Sequence, residues 1–257
     1  MQVARRTTIV FIKPLPICPH HRAHTPNMPG TLTSGHNRWN PRMATPPMTI
    51  TPNEFRLAEL LTARLCHDLA GPLGTLAGAV ELVEETGDGT ILATAREVSA
   101  LLVRRLRLLR AAWATDPAPF GVADLKNLMG GLPAGDRIAL DFSGLSATPD
   151  FTAEIGRVVL NLLLLGAEAL RGGGTLHLAG APDQEIVLRI AGPRAAWPAA
   201  LPSCLLAQGQ SPELLEPRSL QLPLTVLLAF QAGYRLSLLM PLTAAADSPP
   251  PLLLQPG

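Results

Sequence analysis

Between Ala58 and Val83 apolar residues return at helical spacing: Ala58, Leu61, Leu65, Leu69, Leu76, Val80 and Val83. At about 100° per residue they share one side of a helix. Thr51-Pro52-Asn53-Glu54 precedes them, with Thr at the cap, Pro in the first turn and Glu closing a capping box. The spacing predicts a helix running to about Thr86, ended by a C-cap glycine in Gly87-Asp88-Gly89. A second helix is expected from about Thr90 to Thr115, its stripe formed by Val98, Leu102, Leu106, Leu109 and Trp113. A short loop between two long helices makes an antiparallel hairpin. One hairpin cannot cover both stripes, so residues 51–116 are expected to homodimerise into a four-helix bundle.

Past Pro117-Ala118-Pro119 the pattern changes, and residues 120–241 read as a mixed α/β domain. Val122 to Met129 predicts a short helix and Arg137 to Phe142 a strand. Phe151 to Leu170 predicts an apolar helix stopped by Gly172-Gly173-Gly174. Strands are expected at Thr175–Leu178, Glu185–Ile190 and Tyr234–Leu239, with a helix from about Ser219 to Gln231. Residues 192–212 read as irregular, and 242–257 as a flexible proline-rich tail. Residues 1–50 lack periodicity and are expected to be disordered or a non-native extension, with Met43 and Met48 as alternative starts.

Charge alters this picture little. The net formal charge is +1, yet residues 1–50 hold six Arg or Lys and no acid, leaving −5 on the rest. That balance argues against a general nucleic-acid surface. Three scattered cysteines, Cys18, Cys66 and Cys204, indicate neither a disulfide framework nor a zinc site and fit a cytoplasmic location. Cys18, His20, His21 and His24 could ligate a metal, but nothing around them predicts a fold to fix the geometry. The longest apolar runs are too short to span a membrane.

The candidate chemistry lies in Leu65-Cys66-His67-Asp68-Leu69-Ala70-Gly71-Pro72. His67 is turned roughly 200° from Leu65, away from the apolar stripe. A neutral imidazole there can accept a phosphoryl group on a ring nitrogen and pass it on. Asp68 either takes a hydrogen bond from the other ring nitrogen or is a surface charge; the spacing allows both. Pro72 has no N–H for the carbonyl of Asp68, which predicts a local bend beside the histidine. Arg104, Arg105, Arg107 and Arg110 make the second helix basic, either steering an acidic partner or forming a solvated face. Gly172–Gly174 follow a helix, so a C-cap is expected there rather than a phosphate cradle. His177 is read as structural rather than catalytic, and Cys66 as a packing residue.

The hairpin bearing His-Asp-x-x-x-Pro, followed by this α/β order, resembles the body of a sensor histidine kinase and, more closely, the ChpT-type bacterial histidine phosphotransferases. Further support comes from Asn161-Leu162-Leu163-Leu164-Leu165 and Ala167-Glu168-Ala169-Leu170. The resemblance covers about residues 52–241. It implies a phosphoacceptor at His67, with Asp68 orienting the imidazole. It implies a partner surface of Arg64, Gly71, Pro72, Arg104 and Arg107. Its partners would be the receiver domain of a hybrid histidine kinase and downstream response regulators, with Mg2+ in the receiver and no cofactor in this chain.

Against the kinase pattern three positions depart. Asn161 matches the first of two paired asparagines, but Leu165 stands at the second, the magnesium ligand. Ala191-Gly192-Pro193-Arg194-Ala195 lacks the acid that would read adenine, and Ser219 to Leu224 replaces a glycine-rich phosphate loop with bulky residues. ATP binding is therefore not expected, and the α/β domain is taken as degenerate. An ATP-dependent kinase with an unusual site and a non-catalytic regulator-binding adaptor are the rival readings.

Overall fold

The computed structural model describes residues 52–114, 117–132, 137–146, 150–207, 217–240 and 249–257. Thr51, the segment 1–50 and its Cys-His cluster lie outside them. The first two helices form as the periodicity requires. α1 spans Pro52–Thr86 and α2 spans Gly89–Trp113. Gly87, with φ of 67°, receives its turn by donating N–H to the carbonyl of Val83. Asp88 caps α2 by accepting from the Thr90 N–H at 2.8 Å.

After α3 (Val122–Met129) the α/β layer is built from β1 (Ile138–Leu145), α4 (Ala153–Ala169), β2 (Gly174–Gly180), β3 (Ile186–Ala191), α5 (Leu201–Leu206), α6 (Gln221–Gln231), β4 (Tyr234–Leu238) and β5 (Leu252–Pro256). A 3-10 turn at Pro217–Ser219 leads into α6. The sheet order is β1-β2-β3-β5-β4. β1 and β2 run parallel; every other pair is antiparallel.

β5 corrects one expectation. The segment 252–256 is no flexible tail: it is inserted between β3 and β4 and pairs with both. Leu252, Leu253 and Leu254 are buried. A strand enclosed on both sides reads as an unbroken apolar run, and the flanking prolines disguised it. The run before it is also held, because Trp197 Nε1 donates to the Pro250 carbonyl at 2.8 Å and the Leu239 N–H to that of Pro251 at 2.9 Å. A short helix, α5, lies within the segment expected to be irregular.

α4 is almost wholly buried, with β2 and β3 on one side and α2 on the other. Leu108, Leu109 and Ala112 of α2 join the same core as the sheet, and Leu57, Leu61 and Leu65 of α1 pack against it. The lower hairpin and the α/β layer thus share one core. Farther along the hairpin apolar residues lie exposed in and beside the stripes: Leu73 and Val80 on α1, and Leu92, Val103 and Leu106 on α2. Each of those two sets lies within about 60° of its helix.

Candidate functional site

Asn161 shows what became of the kinase-like position. It is fully buried. Its Nδ2 donates to the carbonyls of Ala112 (2.9 Å) and Arg157 (2.8 Å). Its Oδ1 accepts from Trp113 Nε1 (3.2 Å) and Gln221 Nε2 (3.0 Å). All four hydrogen-bonding positions of the amide are used, so it joins α2, α4 and α6 instead of facing a ligand. Leu165, one turn later, is also fully buried, and a hydrocarbon there cannot ligate a hard cation. The start of α6, with Gln221, Leu222, Pro223 and Leu224 buried, is packed into the core.

His67 lies on the exposed side of α1, its side chain 62% accessible. Its Nδ1 is 3.2 Å from Asp68 Oδ1. An ionised carboxylate only accepts, so this contact favours the tautomer with the proton on Nδ1 and leaves the Nε2 lone pair outward. Asp68 is largely covered and does further work. Its Oδ2 accepts from Arg64 Nε at 2.9 Å, an i,i+4 pair within α1.

Arg64, expected on a partner surface, is largely covered and bonded inside the chain. Its side chain is only 15% accessible. Besides Asp68, its Nη2 donates to Glu168 Oε1 of α4, and its Nη1 donates to the Pro217 carbonyl at 3.3 Å. Burial disfavours the Arg64 charge, but the Glu168 and Asp68 carboxylates together outweigh it and hold the guanidinium above its ordinary value. Burial pushes the Glu168 carboxyl upward, with Arg64 opposing.

Pro72 sits inside α1 without ending it. The carbonyl of Asp68, which loses its i+4 N–H to the proline ring, accepts instead from Arg105 Nη1 of α2 at 3.1 Å. The free carbonyl was legible from the sequence; its donor was not. Arg105 Nε is buried with no partner among the described residues, and burial lowers the Arg105 pKa. Arg64, Arg105, Asp68 and Glu168 border a cleft of about 230 Å³ between the hairpin and the α/β layer.

Gly71 is exposed, and a Cβ there would meet nothing within 4 Å; the same holds for Gly74 and Gly78. With His67 these glycines fall within about 60° of one another on α1. The histidine therefore stands at the end of a low strip on its own helix face. Pro72 is half-buried, while Arg104 and Arg107 are exposed and make no hydrogen bond or ion pair among the described residues. His177, read as structural, is part-exposed, and its Nδ1 lies 3.0 Å from Asp141 Oδ2. Cys66 is likewise exposed. Glu168 was not legible as a site residue, and Arg105 only as one of a basic run, because each acts across the fold rather than along its helix.

The chain is similar to known phosphotransferases. Residues 122–242 match the family model of the histidine phosphotransferase C-terminal domain. The chain is 30% identical over 210 residues to protein phosphotransferase ChpT of Brucella abortus (strain 2308), covering 74% of this chain and 93% of that protein. A solved bacterial phosphotransferase, 24% identical, shares the fold with a TM-score of 0.63, over 81% of this chain and 99% of its own.

Proposed function

This chain belongs to the ChpT-type histidine phosphotransferases, and from that premise we propose that His67 is the residue through which it relays phosphoryl groups in a two-component phosphorelay. The observation that carries the assignment is the contact of His67 Nδ1 with Asp68 on an otherwise exposed ring. Nε2 attacks the phosphorus of a phospho-aspartate on a receiver domain. A P–N bond forms, the P–O bond to the aspartyl carboxylate breaks, and that carboxylate leaves. The ring then carries a proton on Nδ1 and a phosphoryl group on Nε2, and the negative charge of Asp68 offsets its positive charge. In the second transfer the carboxylate of a response regulator attacks in line and the neutral imidazole leaves. Such transfers depend on positioning and charge neutralisation more than on covalent chemistry from the protein.

The receiver would bring its own Mg2+, so this chain needs no metal. The strip of Gly71, Gly74 and Gly78 gives a docking domain close access to the His67 face, with Arg104 and Arg107 as candidates to steer its acidic pocket. The kinase reading is disfavoured by the buried hydrocarbon at Leu165 and the fully engaged amide of Asn161. No helix among the described residues is long and apolar enough to cross a membrane; cytoplasmic action is part of this proposal. The exposed Leu73, Val80, Leu92, Val103 and Leu106 support a homodimer. These apolar positions on α1 lie well away from the His67 strip, so dimerisation leaves the histidine open.

The test mixes the purified protein with phosphorylated receiver domains and follows label. Acid-labile, base-stable label should reach the wild type and pass to a second receiver, while His67→Gln should take none. Full transfer by His67→Gln would overturn the assignment, and labelling by ATP alone would support the kinase.

A further inference from the structure

We infer that Glu168 of the α/β layer is a positioning residue for His67, selecting through Arg64 and Asp68 the imidazole tautomer that leaves Nε2 free. This deepens the assignment of His67 and rests on it for its functional meaning. Four groups form one continuous chain. Glu168 Oε1 accepts from Arg64 Nη2, Arg64 Nε donates to Asp68 Oδ2, and Asp68 Oδ1 faces His67 Nδ1. The two oxygens of Asp68 therefore have separate partners, one internal and one on the reacting ring.

Each link depends on the one behind it. A carboxylate held only by an exposed imidazole would rotate among rotamers and lose the contact. Arg64 stops that rotation, provided its own long side chain is held. Arginine loses much rotamer freedom when fixed, so the fork needs anchors at its far end. Glu168 supplies one and the Pro217 carbonyl the other. Asp68 and Glu168 share one guanidinium, and each raises the cost of leaving it unpaired. Glu168 has no hydrogen bond to His67, so it reaches the imidazole through Arg64 and Asp68.

The experiment uses the full chain labelled with 15N-histidine, with His67→Gln identifying the His67 signals. Long-range 1H–15N spectra then read the tautomer ratio, and transfer from a phosphorylated receiver domain gives kcat and KM. In the wild type the Nδ1-protonated form should dominate. Glu168→Gln, equal in volume, should move the ratio toward the Nε2-protonated form by roughly fivefold, the value of one net hydrogen bond. It should lower kcat at unchanged KM by less than that factor, since kcat follows the fraction of the Nδ1-protonated form rather than the ratio, and Glu168→Asp should recover part of both. Arg64→Lys, which keeps the charge but loses the fork, should shift the ratio in the same direction. A Glu168→Gln variant with the wild-type ratio overturns the inference, whether or not its melting temperature falls. The tautomer is read without any phosphoryl transfer, so this result and the labelling of His67 fail or succeed separately.

Discussion

Replacing Arg105 by Met tests whether α2 supplies the hydrogen bond that Pro72 takes from α1. The lost contact is a charged donor on a part-buried carbonyl, at 3.1 Å. Hydrogen bonds to charged groups are worth about 1.5–3 kcal/mol. The same substitution removes the Nε that is buried without a partner, returning about 1–3 kcal/mol. Arg105→Met alone should therefore change stability by anything from a gain of about 1.5 to a loss of about 2 kcal/mol, and a single variant is a weak test. The cycle with Pro72→Ala is a strong one. Alanine restores the N–H to the Asp68 carbonyl, so in that background the Arg105 substitution should cost less by about 1–2 kcal/mol. Urea unfolding followed by circular dichroism at one fixed protein concentration gives the four stabilities, the concentration being held because the stability of the proposed dimer would depend on it. If the two changes add to within about 0.5 kcal/mol, Arg105 is not the donor that compensates the proline, and the reasoning fails.

Leu254→Ala should destabilise the protein by about 2–5 kcal/mol in the same assay, since Leu254 is fully buried between β3 and β4; a mobile tail would give no change. Gly71→Ala should stabilise α1 by about 1 kcal/mol because its Cβ meets open space, whereas Gly71→Leu should stabilise it by nearly as much but slow transfer from a receiver. Asp141, whose carboxyl is held down to about 2 first by the hydroxyl and N–H of Ser143 and then by His177, should add stability above the ordinary carboxylate value of 3.8. That contribution is lost as pH falls through about 2, so the melting-temperature gap between wild type and Asp141→Asn should close over this interval.

Much of the fold was legible because it rests on short-range regularities. The 3.6-residue period of α1 and α2, the glycine at the turn and the apolar run of α4 each lie within one element. The same period placed His67 on the exposed face, and the missing N–H of Pro72 marked the Asp68 carbonyl as free. β5 escaped because a fully enclosed strand has no alternation, and its leucines stand among prolines. Leu106, counted in an apolar stripe, proved exposed, since periodicity names an apolar face without saying what will cover it.

The sequence by itself therefore determined an exposed histidine beside an acid on a long helix, and the elements that follow it. Only the tertiary structure decided how that acid is held. Arg64 lies one turn from Asp68 but reaches Glu168, 104 residues away; Arg105 reaches the Asp68 carbonyl across 37 residues; Asn161 joins Ala112 and Gln221. Local hydrogen bonding and side-chain period act within a few residues and leave their mark on spacing. A buried arginine's choice among several carboxylates is settled by which of them the packed core brings within reach.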